Sequence, residues 1–175
     1  PFRQYSIKQE KTPHCFLKPE ELNVMEKASL TGTVAHVRDA FLFCCYTGLR
    51  FSDFRRLESK HLVKQKGKLW LNIQTEKTGS LVQIPLYLIF EGKALKILKQ
   101  YPSMESFTQI GNNAKMNRGL KKLKELLGIR THITFHVARH TCATLLCHDG
   151  VPITTIQKIL GHHDLATTQI YSEVM

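Results

Sequence analysis

Apolar and polar positions change their period several times along this chain, and each change marks an element. The opening stretch, "PFRQYSIKQEKTPHC", is polar and without period, which predicts a linker or arm over residues 1–15. "KPEELNVMEKA" then predicts a helix, with Pro19 near its first turn and acidic residues where the helix dipole favours them. A more apolar helix follows from Thr33 to Tyr46 and is interrupted at Gly48 in "TGLR", which leaves Arg50 at a bend. "SDFRRL" reads as a short helix with Ser52 as its N-cap.

Between Lys68 and Pro85 the period drops to two, with Leu69, Leu71 and Ile73 alternating against Trp70, Asn72 and Gln74. This predicts a strand, with "SLVQIPL" as its returning partner and Lys77 at the tip of the intervening turn "TEKTGS". Helical spacing returns from Tyr87 to Tyr101, from Lys115 to Leu127 with Gly128 as the stop, through "FHVARHTCATLL", and in "PITTIQKIL" up to Gly161. Asp164 can cap a last short helix carrying Thr168 and Tyr171. The fold class expected is α+β, mostly α-helical with a small antiparallel sheet, in one domain over residues 16–175.

The helix of "FHVARHTCATLL" raises a chemical question. Residues three and four apart share a helix face, so His136, Arg139 and His140 are expected to project side by side. They could be core histidines bonded to carbonyls beside a surface arginine. Arg139 shifts the balance, because a guanidinium cannot shed its charge and calls for a carboxylate or phosphate. The same arginine disfavours zinc on the histidine pair, since it would set a fixed positive charge beside the metal.

Composition narrows the partner. At 175 residues and 42% apolar the chain suits a single domain with a proper core. Its 25 Lys and Arg against 14 Asp and Glu give a formal +11, which points to a polyanion and first of all to nucleic acid. Cys15, Cys44, Cys45, Cys142 and Cys147 are odd in number, lack CxxC spacing and mostly lie in apolar stretches, as reduced thiols of a cytosolic protein would. No secretory signal or apolar run of membrane-spanning length is visible, so a soluble, intracellular protein is expected.

Four separated motifs occur in a fixed order: "TGLRFSDFRRL", "TEKTGS", "HVARH" and "LGHHDLATTQIY". Together they resemble the catalytic domain of the tyrosine recombinases, the phage integrase family, from about Phe16 to the end. The resemblance implies a site-specific recombinase. A tyrosine oxygen attacks a DNA phosphodiester, releases a 5′ hydroxyl and forms a 3′ phosphotyrosyl link that a second 5′ hydroxyl later reverses. By position, Tyr171 matches the nucleophile, Arg50 and Arg139 the two arginines that stabilise the phosphate, and Lys77 the acid for the leaving 5′ oxygen. His136 matches the histidine that assists proton transfer, and His162 the position that bonds the same phosphate, with His163 a bystander. Asp53 matches an acidic position supporting the site, and His140 a second histidine of structural or supporting role.

The resemblance further implies double-stranded DNA and other recombinase protomers, in a tetrameric synaptic complex, as partners, no metal or organic cofactor, no membrane, and a cytoplasmic, nucleoid-associated location. Two departures are visible. No amino-terminal DNA-clamping domain precedes the motifs, as in an excised catalytic domain, and only Ser172, Glu173, Val174 and Met175 follow Tyr171. The rival readings are a type IB topoisomerase, an idle DNA-binding domain and a zinc hydrolase. The compact spacing from "LGH" to the tyrosine, the complete set of catalytic candidates and the absence of a convincing nearby acidic or cysteine ligand set weigh against them in turn.

Overall fold

The computed structural model describes residues 15–162, 164 and 166–170, so nearly all of the expected arm, residues 1–14, lies outside the described residues. The helices are α1 (Pro19–Lys27), α2 (Gly32–Thr47), α3 (Phe51–Arg55), α4 (Lys93–Leu98), α5 (Met104–Thr108), α6 (Asn113–Leu127), α7 (Phe135–His148), α8 (Ile153–Leu160) and α9 (Ala166–Gln169). One antiparallel sheet in the order β1-β2-β3 (Leu62–Gln65, Lys68–Gln74, Leu81–Pro85) lies between α3 and α4 in sequence. This is the mostly helical α+β fold with a small antiparallel sheet that the periodicity predicts.

Helix α2 is the centre of the packing. From Asp39 to Thr47 every residue is buried, so the helix is apolar around its whole circumference and must be covered on all sides. Helices α7, α6, α4 and α1 cover it. Phe107 from α5 seals one end, meeting Phe43 and Phe54 edge-on with ring centroids 5.2 Å apart in each case. The one acidic side chain in this run, Asp39, is bonded by Arg38 Nε and the Tyr101 hydroxyl, both at 2.7 Å. At the start of the packed region Leu17 is buried and its amide donates to Thr141 Oγ1 of α7 (2.9 Å).

The sheet follows the alternation. Leu71 stands opposite Ile84 and Ile73 opposite Val82, and all four are buried, while Gln74, Leu81 and Gln83 on the other face are exposed and Asn72 is half-buried. Strand β1 was not expected, because Leu62 and Val63 alone are too few to show a period. A tight turn at Lys66 (φ 49°) and Gly67 (φ 78°), both left-handed, pairs it with β2.

Two further expectations are corrected and one helix is added. The single helix over 87–101 is instead a turn and a short helix: Phe90, Glu91 and Gly92 all take left-handed φ (48°, 55° and 71°) before α4 begins. Phe90 bends inward there to lie 5.5 Å from the Tyr46 ring, a tertiary contact that overrides helical spacing. Helix α5 is too short to show periodicity and is announced only by its cap, Ser103, whose Oγ accepts from Ser106 N. Ser52 is not an N-cap: α3 begins one residue earlier, and extended Arg50 (φ −70°, ψ 153°) occupies the cap without a side-chain bond.

The cysteines are free, and all but Cys15 are buried. Burial pushes the Cys142 thiol up to about 12, which keeps it protonated and unreactive. Among the described residues no helix is long and apolar enough to cross a membrane.

Candidate active site

The site is built where α2 ends and α7 begins. Gly48 closes α2 in the left-handed conformation (φ 70°), and its amide donates to the Cys44 carbonyl. This turn aims the Gly48 carbonyl at α7 and delivers Arg50 to the start of α3. Thr134 caps α7 through a bond from Val137 N to its hydroxyl (3.2 Å), which fixes the first turns on which His136, Arg139 and His140 stand.

Arg139 is buried, with only 5% of its surface exposed. Its Nη1 donates to the Gly48 carbonyl (2.7 Å) and its Nη2 to the Leu160 carbonyl (2.6 Å). Two carbonyl dipoles, from the ends of α2 and α8, hold the guanidinium. Two of the guanidinium's five donors are thus fixed, and the group keeps its full positive charge at the wall of an open cleft of about 520 Å³. Arg50, Phe51, Arg55, Asn117, His136 and Arg139 are among the residues that line that cleft.

Arg50 is held differently. Its Nη1 is 3.9 Å from Asp53 Oδ2, and these two buried atoms have no hydrogen-bond partner among the described residues. Leaving such groups unbonded costs about 1–3 kcal/mol each, so this pair is loosely held, and the Arg50 side chain also lines the cleft. Asp53 is fully buried, and its Oδ1 accepts from the Glu76 amide (2.8 Å), tying the β2–β3 turn to α3 beside Arg50. Lys77 follows as an exposed residue on that turn and does not line the cleft. On its other side the Thr78 hydroxyl donates to the Gly161 carbonyl (3.3 Å). Gly161 leaves no room for a side chain: a Cβ there would come within 2.7 Å of Val82 Cγ2. The turn therefore rests directly on the "LGH" loop.

His162 follows Gly161, which ends α8 at φ 64°. Its Nδ1 lies 2.8 Å from Thr168 Oγ1 on α9. Burial, and then the charges of Arg139, Arg50 and His140, lower its pKa to about 4, so the ring is neutral near pH 7. The His136 and His140 rings meet edge-on at 4.4 Å, with His136 exposed and His140 half-buried. Of the expected site residues Arg50, His136 and Arg139 line the cleft; Asp53 pairs with Arg50, the His140 ring meets His136, His162 feels the charges of Arg139 and Arg50, and Lys77 stands on a turn tied to Asp53. Tyr171 and His163 lie outside the described residues. Among the described residues, no group of three or more His, Cys, Asp or Glu side chains is placed to hold a metal ion.

Sequence reasoning missed several participants. Asn113 and Asn117, one helical turn apart on α6, face the cleft, and an adjoining groove of about 470 Å³ shares Asn117 and Thr134 and continues past Lys121, Lys124 and His132. Along α6 the i, i+4, i+8, i+11 spacing of these polar residues was the available signal. Thr78 and Thr168 carried none, since their roles depend on what packs against them.

Two buried or half-buried guanidiniums, the neutral His162 imidazole and the His136–His140 pair at an open basic cleft define an anion-handling site on a helical domain, of the kind a phosphodiester would fit. Residues 16–175 match the sequence model of the phage integrase family, and the chain belongs to that family. Tyrosine recombinase XerC of Oceanobacillus iheyensis is 29% identical over 172 residues, covering 91% of this chain and 56% of the relative. XerC of Rickettsia bellii is 31% identical over 180 residues, covering 90% of this chain and 55% of the relative. The chain therefore spans about half the length of the curated relatives it matches.

Solved structures share the fold. The lambda integrase dimer bound to a COC′ core site superimposes with a TM-score of 0.73 at 20% identity, over 95% of this chain and 62% of that one. XerH site-specific recombinase bound to palindromic difH substrate gives 0.71 at 20% identity, over 97% and 52%.

Proposed function

We propose that residues 16–175 form a catalytic unit that cleaves and rejoins double-stranded DNA through a 3′ phosphotyrosyl intermediate, as part of a site-specific recombinase. The observation that carries this reading is the pairing of Arg139, fixed by two carbonyls, with Arg50, whose buried Nη1 has no hydrogen-bond partner among the described residues, on one open cleft. Guanidiniums so placed can meet the nonbridging oxygens of a phosphate as charge builds on them. Tyr171 supplies the attacking oxygen. The new phosphorus–oxygen bond forms as the bond to the 5′ oxygen breaks; His136 accepts the proton that the Tyr171 hydroxyl loses, and Lys77 gives the leaving 5′ oxygen its proton. His162 bonds the phosphate, while Asp53 holds Arg50 and the Lys77 turn in place and His140 supports His136. No metal ion or organic cofactor enters this scheme.

The polar groove that leaves the cleft along Asn117, Lys121 and Lys124 gives the flanking DNA strand a path. In the whole protein, further protomers would join on DNA in a tetrameric synapse in the cytoplasm, close to the nucleoid. Incubation with a nicked duplex in the presence of chelator tests the mechanism. A slower-migrating, protease-sensitive species is expected, and it should vanish in Tyr171→Phe while DNA binding persists. Complete dependence on an added divalent metal would sink the scheme.

A further inference from the structure

His162 presents a chemical difficulty. Lying between burial and the positive charges of Arg139 and Arg50, it is neutral near pH 7, and a neutral imidazole carries one N–H and one bare nitrogen. Only the nitrogen bearing the hydrogen can donate to a phosphate oxygen; the bare one would repel it. Something must decide which nitrogen carries the proton.

Thr168 is placed to decide it. Its side chain is wholly buried, and its Oγ1 lies 2.8 Å from His162 Nδ1. The histidine backbone is pinned as well, its amide donating to the Gln157 carbonyl (3.1 Å) and its carbonyl accepting from Gln157 Nε2 (3.2 Å). The ring is thus tethered at the backbone and at Nδ1, and among the described residues Nε2 is the nitrogen left for a ligand. We propose that the Thr168 hydroxyl donates to His162 Nδ1 and so holds the ring in the Nε2–H tautomer, making Thr168 a positioning residue for the phosphate contact. The inference deepens the functional reading above and rests on it for its consequence, though not for the bond itself.

The placement of Thr168 gives the bond a second effect. It belongs to α9 and precedes Tyr171 by one helical turn's spacing in the sequence. The donor state of His162 therefore depends on the seating of the segment that leads into the nucleophile.

Nitrogen-15 NMR of histidine-labelled 175-residue protein near neutral pH reads the tautomer directly. The expected result is a bare Nδ1 and a protonated Nε2 for His162. Thr168→Val keeps the branched shape and removes the donor, so His162 should move toward the opposite tautomer. Cleavage of a nicked duplex at saturating protein should slow about three- to tenfold, the loss expected for one net hydrogen bond. Duplex affinity should change less than about twofold, because the other phosphate contacts are untouched. Thr168→Ser retains the hydroxyl and should restore both tautomer and rate, which a packing role alone would not do.

A protonated Nδ1 in the wild-type protein overturns the proposal, as does a valine variant with unchanged tautomer. His162→Ala is the control for the underlying reading. If it cleaves at the wild-type rate, His162 is no phosphate ligand and that part of the functional reading fails, while the tautomer measurement still decides the Thr168 bond on its own.

Discussion

Replacing Gly48 by alanine strikes the turn that positions both arginines. At φ 70° the residue is left-handed, a conformation that costs an alanine about 1–2 kcal/mol. The added Cβ would also come within 2.5 Å of Leu160 Cδ2 and 3.2 Å of Cys142 Sγ, and neither side chain can swing away because both are fully buried. Overpacking of this kind adds about 1–3 kcal/mol. The sum, about 2–5 kcal/mol, is a large share of the roughly 5–15 kcal/mol typical of a domain. With a urea slope of about 2 kcal/mol per molar, the unfolding midpoint should fall by about 1–2.5 M.

Gly128→Ala is the matched control, for Gly128 also ends a helix in the left-handed region (φ 64°), but a Cβ added there would meet nothing within 4 Å. Only the backbone penalty remains, a fall of about 0.5–1 M. Urea titrations of the wild type and both variants, followed by circular dichroism and by the fluorescence of the single tryptophan, Trp70, measure the difference. Gly48→Ala should in addition slow DNA cleavage, because the Gly48 and Leu160 carbonyls that hold Arg139 are the groups pushed apart. Equal midpoints for the two variants would refute the argument from packing.

Two further outcomes follow from the site. Lys77→Ala should slow cleavage of ordinary DNA but much less of a substrate whose 5′ bridging oxygen is sulfur, a leaving group that needs no proton; equal loss on both would remove Lys77 from the acid role. The pKa of His162 is lowered from 6.5 to about 4 on folding, so between these values the unfolded chain binds more protons than the folded one and stability rises with pH. The contribution is complete above pH 6.5 and declines as pH falls toward 4. Denaturation midpoints measured across that window should therefore fall more for the wild type than for His162→Gln, and parallel curves would show that the ring's environment is not as described.

What the sequence determined by itself is the set of local elements and the motifs they carry. Helices α2, α6 and α8 are read from helical spacing and from the glycines that stop them, because both signals act within a few residues. The pairing of β2 with β3 follows from strict alternation across one turn. The order of "TGLR", "TEKTGS", "HVARH" and "LGHHDLATTQIY" likewise needs no folding to be seen. Tertiary structure decided the rest. Phe90 leaves its helical spacing to reach Tyr46, and β1 exists only because β2 is there to pair with it. Arg139 donates to a carbonyl 91 residues away in sequence, a partner no local pattern announces, and burial makes that backbone dipole a strong one where water is excluded. Charge state is decided at the same level: His162 is an ordinary histidine in the sequence and a neutral one in the fold, because only packing buries it and brings Arg139 and Arg50 close enough to disfavour its proton.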